Sequence, residues 1–182
     1  QPIYNEDSSI AVVHNGRIYD FKELRERLEA RGHRFVTETD TEVIVHAYEE
    51  YGLNCVRFFN GMFAFALYDA NIDLLLLARD RCGIKPLHYA LLDDGTFLFA
   101  SEIKSILQYK RVPVAMDPNS LHCIINLRYI PGEKTMFRGI KRLLPGHILT
   151  LQNQKVHIQQ YWEPTFDPGT EPEDYYIQAL RN

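Results

Sequence analysis

Cysteine is scarce in this chain, and no pair of histidines has metal-type spacing. The 182 residues contain three cysteines, Cys55, Cys82 and Cys123. An odd number of well-separated cysteines indicates neither a disulfide framework nor a CxxC metal site, so we expect reduced, buried thiols in a cytoplasmic protein. None of the seven histidines forms an HxH or HxxxH pair, so the sequence predicts no metal site of the zinc type.

Long apolar runs, basic blocks and phosphate-binding loops are also missing. The longest apolar run, residues 61–68, is too short to cross a bilayer. The net charge is -4 with no basic block, which argues against a nucleic-acid surface and a polybasic membrane patch. There is neither a GxGxxG loop nor a Walker sequence. We therefore expect no nucleic-acid partner and no membrane association.

The apolar pattern predicts three hairpins with helices before and after them. The hairpins are expected over 62–78, 87–100 and 148–160. Helices are expected after Asp20 as far as Gly32, after Thr39 as far as Gly52, over 102–108 and over 117–129. Several strands between 62 and 98 are apolar on nearly every residue, which is typical of strands buried between layers. This pattern predicts an α+β fold with sheets inside and helices outside.

Three polar segments are candidates for a site. Short strands are expected over 10–14, 17–19 and 33–37, and Asn15-Gly16 between the first two is typical of a tight turn. Such a turn can form an oxyanion hole, although an ordinary hairpin turn is the commoner role. Asp40 precedes a predicted helix, where the helix dipole alone stabilises a carboxylate by about 0.3–1 kcal/mol. The charges over 79–81 suit a solvated or salt-bridged strand end, and Ser101 has no histidine nearby in sequence for a triad.

The last twenty residues differ in composition from the rest. Residues 163–173 are rich in proline, glycine and acid, as in a linker, and residues 174–182 have apolar residues at helical spacing. We interpret them as the beginning of a second domain.

Several motifs resemble class II glutamine amidotransferase domains, in particular those of glutamine-hydrolysing asparagine synthetases. The similar segments are VVHNGRIYDFKELRERLEARGHRFVTETDTEVIVHAYEEYG, NGMFAFALYDANIDLLLLARDRCGIKPLHYA, FLFASEIKSIL, FRGIKRLLPGHILTL and YWEP. The resemblance implies that residues 1–164 form this domain and that residues 165–182 are a linker and the start of an ATP-binding synthetase domain. It also implies the N-terminal-nucleophile hydrolase fold, a four-layer αββα sandwich with antiparallel sheets.

The resemblance further implies a reaction. In this family an amino-terminal cysteine attacks the side-chain amide of glutamine and releases ammonia. The ammonia passes through an interior channel to the synthetase domain, where ATP and Mg²⁺ activate aspartate in asparagine biosynthesis. No cofactor is implied for the glutaminase domain itself, and a homodimer is a possible assembly. We expect the nucleophile upstream of Gln1, which would leave the chain inactive alone.

Four residues receive roles from the resemblance. The Asn15 side chain and the Gly16 N–H correspond to donors to the oxyanion, and Asp40 corresponds to the residue that pairs with the α-ammonium group of glutamine. Arg17 stands where asparagine synthetases commonly have a glutamate that helps to hold that group. Arg17 therefore points away, or recognition depends more on Asp40, or the substrate is not plain glutamine. Residues 79–86 are expected to shape the domain or its contact with the synthetase half.

Two other functions stay open at this stage. The first is a related class II amidotransferase that delivers ammonia to another acceptor. The second is a domain without catalytic activity that serves dimerisation or regulation.

Overall fold

The chain folds into two antiparallel sheets with helices on their outer sides. The computed structural model describes residues 1–166, 169 and 171–181. The larger sheet has the order β1-β2-β3-β4-β8-β9, and the smaller sheet has the order β6-β5-β7. The strands are β1 (Ile3–Tyr4), β2 (Ile10–Ile18), β3 (Gly61–Asp69), β4 (Leu74–Arg79), β5 (His88–Leu91), β6 (Phe97–Ala100), β7 (Lys141–Arg142), β8 (His147–Gln152) and β9 (Lys155–Gln160). The helices are α1 (Phe21–Glu29), α2 (Glu42–Tyr51), a 3₁₀ helix (Gly52–Phe58), α3 (Ile103–Ile106), α4 (Pro118–Leu127) and α5 (Glu173–Arg181).

Strand β3 shows why the sheet is buried on both faces. Phe63, Phe65 and Leu67 point into the core that the larger sheet shares with α1 and α2. Ala64 and Ala66 point to the opposite face, towards the smaller sheet. Successive side chains of a strand alternate between faces, and burying each of the larger ones contributes about 1.5–3 kcal/mol. A strand that is apolar at every position thus serves two cores.

Two further cores complete the layers. Between the sheets, Leu77 and Leu149 of the larger sheet pack with Tyr89 of the smaller one. On the outer side of the smaller sheet, Ala90 packs against Ile106 of α3. The layers therefore follow the order helix, sheet, sheet, helix, and the predicted α+β sandwich is confirmed.

The three predicted hairpins are confirmed, because β3 pairs with β4, β5 with β6, and β8 with β9. The predicted strand over 33–37 is wrong, since these residues form no strand. The Glu42 carboxylate instead accepts hydrogen bonds from the backbone N–H groups of Val36 and Thr37, both at 2.6 Å. The carboxylate thus satisfies these N–H groups, which therefore do not need a neighbouring strand.

The helix boundaries also differ from the prediction at two places. Helix α2 begins at Glu42 and is preceded by Thr41, so Thr39 does not cap it. Helix α1 ends at Glu29, before Gly32, and Asp20, the residue before the helix, makes no capping hydrogen bond through its side chain. The carboxylate of Asp20 instead accepts a hydrogen bond from the N–H of Asn60. For Asp20, a tertiary contact therefore replaces the expected capping hydrogen bond.

The C-terminal helix α5 confirms the predicted helix, although residue 182 lies outside the described residues. The predicted linker over 163–173 includes residues 167, 168 and 170, which also lie outside them. No described helix is both long and apolar enough to span a bilayer.

Candidate functional site

Asn15 and Gly16 lie inside a strand, so the predicted tight turn at this dipeptide is wrong. Strand β2 runs unbroken from Ile10 to Ile18, and it pairs Asn15 with Ala64 and Gly16 with Phe63. Gly16 has a φ of +151°, and a Cβ there would stand 2.1 Å from the Met62 carbonyl oxygen. Glycine is needed because β2 and β3 approach closely, since only glycine tolerates both the contact and this φ.

The edge of β2 opposite β3 is bound by side chains rather than by a full strand. The Gln1 carboxamide pairs with His14, accepting from its N–H at 2.6 Å and donating to its carbonyl at 2.9 Å. The Asp40 carboxylate accepts from the N–H of Ile18 at 2.9 Å. Alternate residues of a strand direct their N–H groups to the same edge. The N–H of Gly16 is therefore directed to this edge, between the positions bound by Gln1 and Asp40.

The side chain of Asn15 lies at a cavity between the two sheets. Its Nδ2 donates to the Oγ of Ser101, which follows β6, at 3.1 Å. The cavity has a volume of about 240 Å³. Alanines at 64 and 66 leave this space because their side chains are short. The lining residues are Gln1, Val13, His14, Asn15, Ala64, Phe65, Ala66, Leu87, Phe99, Ala100 and Ser101.

Asp40 and Asn15 are held beside the same stretch of β2 but in different surroundings. Asp40 is half-buried and does not line the cavity that Asn15 lines. The next residue, Thr41, places its Oγ1 3.0 Å from Nδ1 of His14. The segment before α2 is thereby fixed against β2 by two polar contacts. The structure brings Asp40 to the edge that holds Gly16, and it places the Asn15 side chain on the inter-sheet face.

His14 is a buried neighbour that the sequence analysis did not single out. Burial lowers the pKa of His14, with Asp40 acting in the opposite direction and Lys85 in the same one. Within the described part of the chain, its Nε2 has no hydrogen-bond partner. The imidazole is therefore kept neutral beside Asp40 and Gly16. In the sequence, His14 is distinguished only by its position before Asn15, and that position alone does not predict a role at the site.

Arg17 lies outside the cavity. Its side chain is exposed, and the guanidinium carbon lies 6.0 Å from the ring centroid of Phe21. That distance is at the outer limit of a cation–π contact. Of the three options left open by the sequence, the geometry favours a cation directed away from the cavity.

The charged segment after β4 organises the loop that leads to the cavity wall. Asp80 is 1% exposed, and its carboxylate accepts from the backbone N–H groups of Phe63, Cys82, Ile84 and Lys85 at 3.0–3.2 Å. The predicted structural role of this segment is confirmed. Arg79 contributes in the same way, since its guanidinium donates to the carbonyls of Gly83, Lys85 and Leu143.

No Ser–His pair is formed at Ser101 among the residues that the structure describes. His88 lies nearby, but its Nδ1 contacts the backbone carbonyl of Ser101 at 2.9 Å rather than the hydroxyl. Burial lowers the pKa of His88, and the contact with Ser101 partly opposes this. The cysteines are also placed away from the cavity. Burial raises the pKa of Cys55 to about 12, so this thiol is a poor nucleophile at neutral pH.

The chain also matches a known protein family. A family model described as the glutamine amidotransferase domain matches residues 1–162. The chain belongs to this family. The match covers every described strand of both sheets, Asn15, Gly16 and Asp40, and of the described helices and strands only α5 lies outside it. The class II amidotransferase resemblance found in the sequence is thus confirmed.

Relatives of this amidotransferase domain include asparagine synthetases. Asparagine synthetase [glutamine-hydrolyzing] 3 of Bacillus subtilis is 38% identical over 173 residues, which are 94% of this chain and 28% of the relative. Asparagine synthetase [glutamine-hydrolyzing] 2 of the same organism is 49% identical over 172 residues, 89% of this chain and 22% of the relative. Amidase chyE of Penicillium rubens is 38% identical over 167 residues, 90% of this chain and 24% of the relative. The chain spans about a quarter of the length of these curated relatives.

Solved structures support the fold of the amidotransferase domain. Glutamine phosphoribosylpyrophosphate amidotransferase of B. subtilis aligns with a TM-score of 0.62 and 19% identity over 90% of this chain and 32% of that chain. A protein described as a glutamine aminotransferase class-II domain protein from Silicibacter pomeroyi aligns with a TM-score of 0.53 and 16% identity over 88% of this chain and 70% of that chain. At such identities the comparison concerns the fold alone.

Proposed function

We propose that this domain hydrolyses glutamine to glutamate and ammonia at the open edge of β2, and that the ammonia serves the ATP-dependent amidation of aspartate. One observation carries the proposal. The N–H of Gly16 is directed to the edge of β2 where the Asp40 carboxylate is bound, with the Asn15 amide on the adjacent residue. An amide donor pair for an oxyanion and a carboxylate for an ammonium group are what an amino acid with a side-chain amide requires.

Asn15 and Gly16 stabilise the tetrahedral intermediate in this proposal. The hydrogen bond from Asn15 to Ser101 holds the amide in place in the absence of substrate. Gly16 has no side chain to block its N–H, and its pairing with Phe63 holds its backbone within the sheet. Pre-positioned donors of this kind contribute to rate because they need no reorganisation, and removal of one typically costs about 10²–10³-fold in kcat.

Asp40 binds the α-ammonium group of glutamine in this proposal. One carboxylate oxygen accepts from Ile18, which leaves the second oxygen for the ligand. With Arg17 beside Phe21 instead of a glutamate at that position, recognition of the ammonium group depends mainly on Asp40. A hydrogen bond to a charged group contributes about 1.5–3 kcal/mol.

The nucleophile in this proposal is an amino-terminal cysteine of the full-length protein. The described cysteines are poor candidates, because Cys55 is buried, Cys82 is exposed beside Asp80, and Cys123 lies on α4. None of them lines the cavity at Asn15. We therefore expect no glutaminase activity from residues 1–182 by themselves.

The rest of the proposed reaction belongs to the full-length protein. Residues 165–182 lead to a synthetase domain in this proposal, and that domain binds ATP and Mg²⁺ and receives ammonia through an interior channel. We also propose that the full-length protein is cytoplasmic and forms a homodimer. The similarity to asparagine synthetases over nearly the whole chain supports it.

A different acceptor for the ammonia is the second candidate. Amidase chyE is as identical to this chain as asparagine synthetase 3 is, so the glutaminase domain does not distinguish the acceptors. Asparagine formation from aspartate, ATP and glutamine by the full-length protein separates the two candidates. Glutaminase activity without asparagine favours another acceptor.

The Asp40→Asn variant of the full-length protein tests the proposed site. The loss of about 1.5–3 kcal/mol corresponds to an increase of about 10- to 150-fold in the KM for glutamine. Asp93→Asn is the matched control, because Asp93 is exposed in the β5–β6 turn. An unchanged KM in the Asp40 variant, measured by glutamate release, means that Asp40 does not bind substrate.

A further inference from the structure

Four side chains converge at the end of α2, away from the site described above. Glu6 comes from the β1–β2 connection, His33 from the segment after α1, and His46 and Glu49 from α2. One ligand atom from each of the four lies within 4.8 Å of all the others. The sequence shows no metal-type spacing because three separate segments supply these groups.

The distances between these atoms fit a tetrahedral cation site. Nδ1 of His33 lies 3.4 Å from Oε1 of Glu6 and 3.6 Å from Oε2 of Glu49, and Nδ1 of His46 lies 3.3 Å from Oε2 of each of these two glutamates. Ligands at roughly 2.0–2.2 Å from a tetrahedral zinc ion are about 3.3–3.6 Å apart. Each Nδ1 faces two carboxylates at similar distances, whereas one N–H donates well to only one of them.

A further carboxylate supports one of the two histidines. Nε2 of His33 lies 3.2 Å from Glu50, whereas Nε2 of His46 lies 3.7 Å from Glu42, which is too far for a hydrogen bond. A carboxylate behind the distal nitrogen is the usual support for a histidine that binds a metal through the other nitrogen.

The carboxylates are supported from outside the cluster as well. Glu49 accepts from Nδ2 of the buried Asn5 at 2.8 Å, and Glu6 accepts from the N–H of Arg34 at 2.9 Å. The orientations of His33 and of the two carboxylates are therefore set before any ion arrives, which reduces the entropic cost of binding.

The burial of His46 is a separate indication that this cluster binds a cation. The side chain is 1% exposed, and its Nε2 has no hydrogen-bond partner among the described residues. A neutral imidazole bound to a cation avoids burying an imidazolium there. Glu6 and Glu49 keep 34% and 25% exposure, so the centre stays accessible from solvent.

We propose that Glu6, His33, His46 and Glu49 bind one divalent transition-metal ion of the zinc class. Two imidazole nitrogens favour zinc or a similar ion over Mg²⁺ or Ca²⁺, which prefer oxygen ligands. The four ligands close the coordination sphere, so the ion is structural. It ties the β1–β2 connection and the segment 30–41 to α2, and that segment carries Asp40.

The test uses the full-length protein, stripped with a chelator and titrated with Zn²⁺ against a competing indicator. We expect one equivalent of tightly bound Zn²⁺, a higher midpoint of thermal unfolding when it is present, and a visible spectrum of tetrahedral type with Co²⁺. His33→Gln and Glu49→Gln each lower the affinity by about 100-fold or more, and Glu50→Gln by about 10–100-fold. Far-ultraviolet circular dichroism without metal verifies that each variant is folded.

Matched controls are His157→Gln and Glu26→Gln, because both residues are exposed and neither belongs to the cluster. They retain the wild-type affinity in our proposal. Weak, non-stoichiometric binding by the wild type overturns it, as does equal affinity in His33→Gln and His157→Gln. In that case the cluster is a set of ion pairs between protonated histidines and carboxylates.

Discussion

Replacement of Gly16 by alanine gives a direct test of the close approach between β2 and β3. The added Cβ would lie 2.1 Å from the Met62 carbonyl oxygen and 2.7 Å from the Phe63 Cα. Both atoms belong to the backbone of β3, so neither moves without disturbing the pairing of the two strands. The φ of +151° adds strain of its own for any residue with a Cβ.

The magnitude follows from two contributions. Overpacking in a well-packed region costs about 1–3 kcal/mol. An unfavourable φ for a residue other than glycine costs about 1–3 kcal/mol. The sum of about 2–6 kcal/mol is a large part of the 5–15 kcal/mol that is typical of a domain.

The Gly32→Ala variant separates the two contributions. Gly32 has a φ of +102°, and apart from its two chain neighbours no described residue has an atom within 4 Å of the added Cβ. We expect Gly32→Ala to show the conformational strain alone, and Gly16→Ala to be less stable than it by about a further 1–3 kcal/mol in urea unfolding. Equal loss of stability in the two variants would refute the account of Gly16 as a contact glycine.

Two further predictions concern buried polar groups. Asp80→Asn replaces the acceptor of four backbone N–H groups by a side chain with one acceptor oxygen. We therefore expect a loss of about 2–4 kcal/mol in unfolding free energy, with Asp93→Asn as the exposed control. A loss under 1 kcal/mol contradicts this prediction. Burial lowers the pKa of His14 and His88 below the ordinary value of 6.5. As the pH falls, the unfolded chain therefore takes up protons at these histidines before the folded chain does. The contribution of the neutral histidines to the free energy of unfolding is fully present above about pH 6.5 and is lost as the pH decreases below it. Unfolding free energy measured from pH 8 to 5 should have a smaller slope in His14→Gln than in the wild type, and identical slopes contradict the contribution of His14.

The layered fold follows closely from the apolar pattern. Residues 61–69 are apolar on both faces, which requires a layer on each side, and the structure provides two. The hairpins were predictable because each combines such strands with a short polar turn. The structure of segment 33–37 was not predictable, because N–H groups of its backbone donate to the Glu42 carboxylate. No local sequence pattern indicates this contact.

The site was only partly predictable. Asn15-Gly16 has the composition of a turn, and the glycine is explained by the distance to Met62 across the sheet, which a single strand does not reveal. The contact between Asn15 and Ser101 joins residues 86 positions apart. The residues of the proposed metal site are likewise supplied by three segments, so only the folded chain brings them together.

We propose that the Asn15 amide and the Gly16 N–H at β2 bind a negatively charged oxygen. The most direct measurement is kcat for glutamine hydrolysis by the full-length protein with Asn15→Ala. We predict a decrease of about 10²–10³-fold with little change in KM, because the donor acts on the intermediate rather than on bound glutamine. A kcat within a factor of two of the wild type, in a variant of unchanged stability, would contradict the claim.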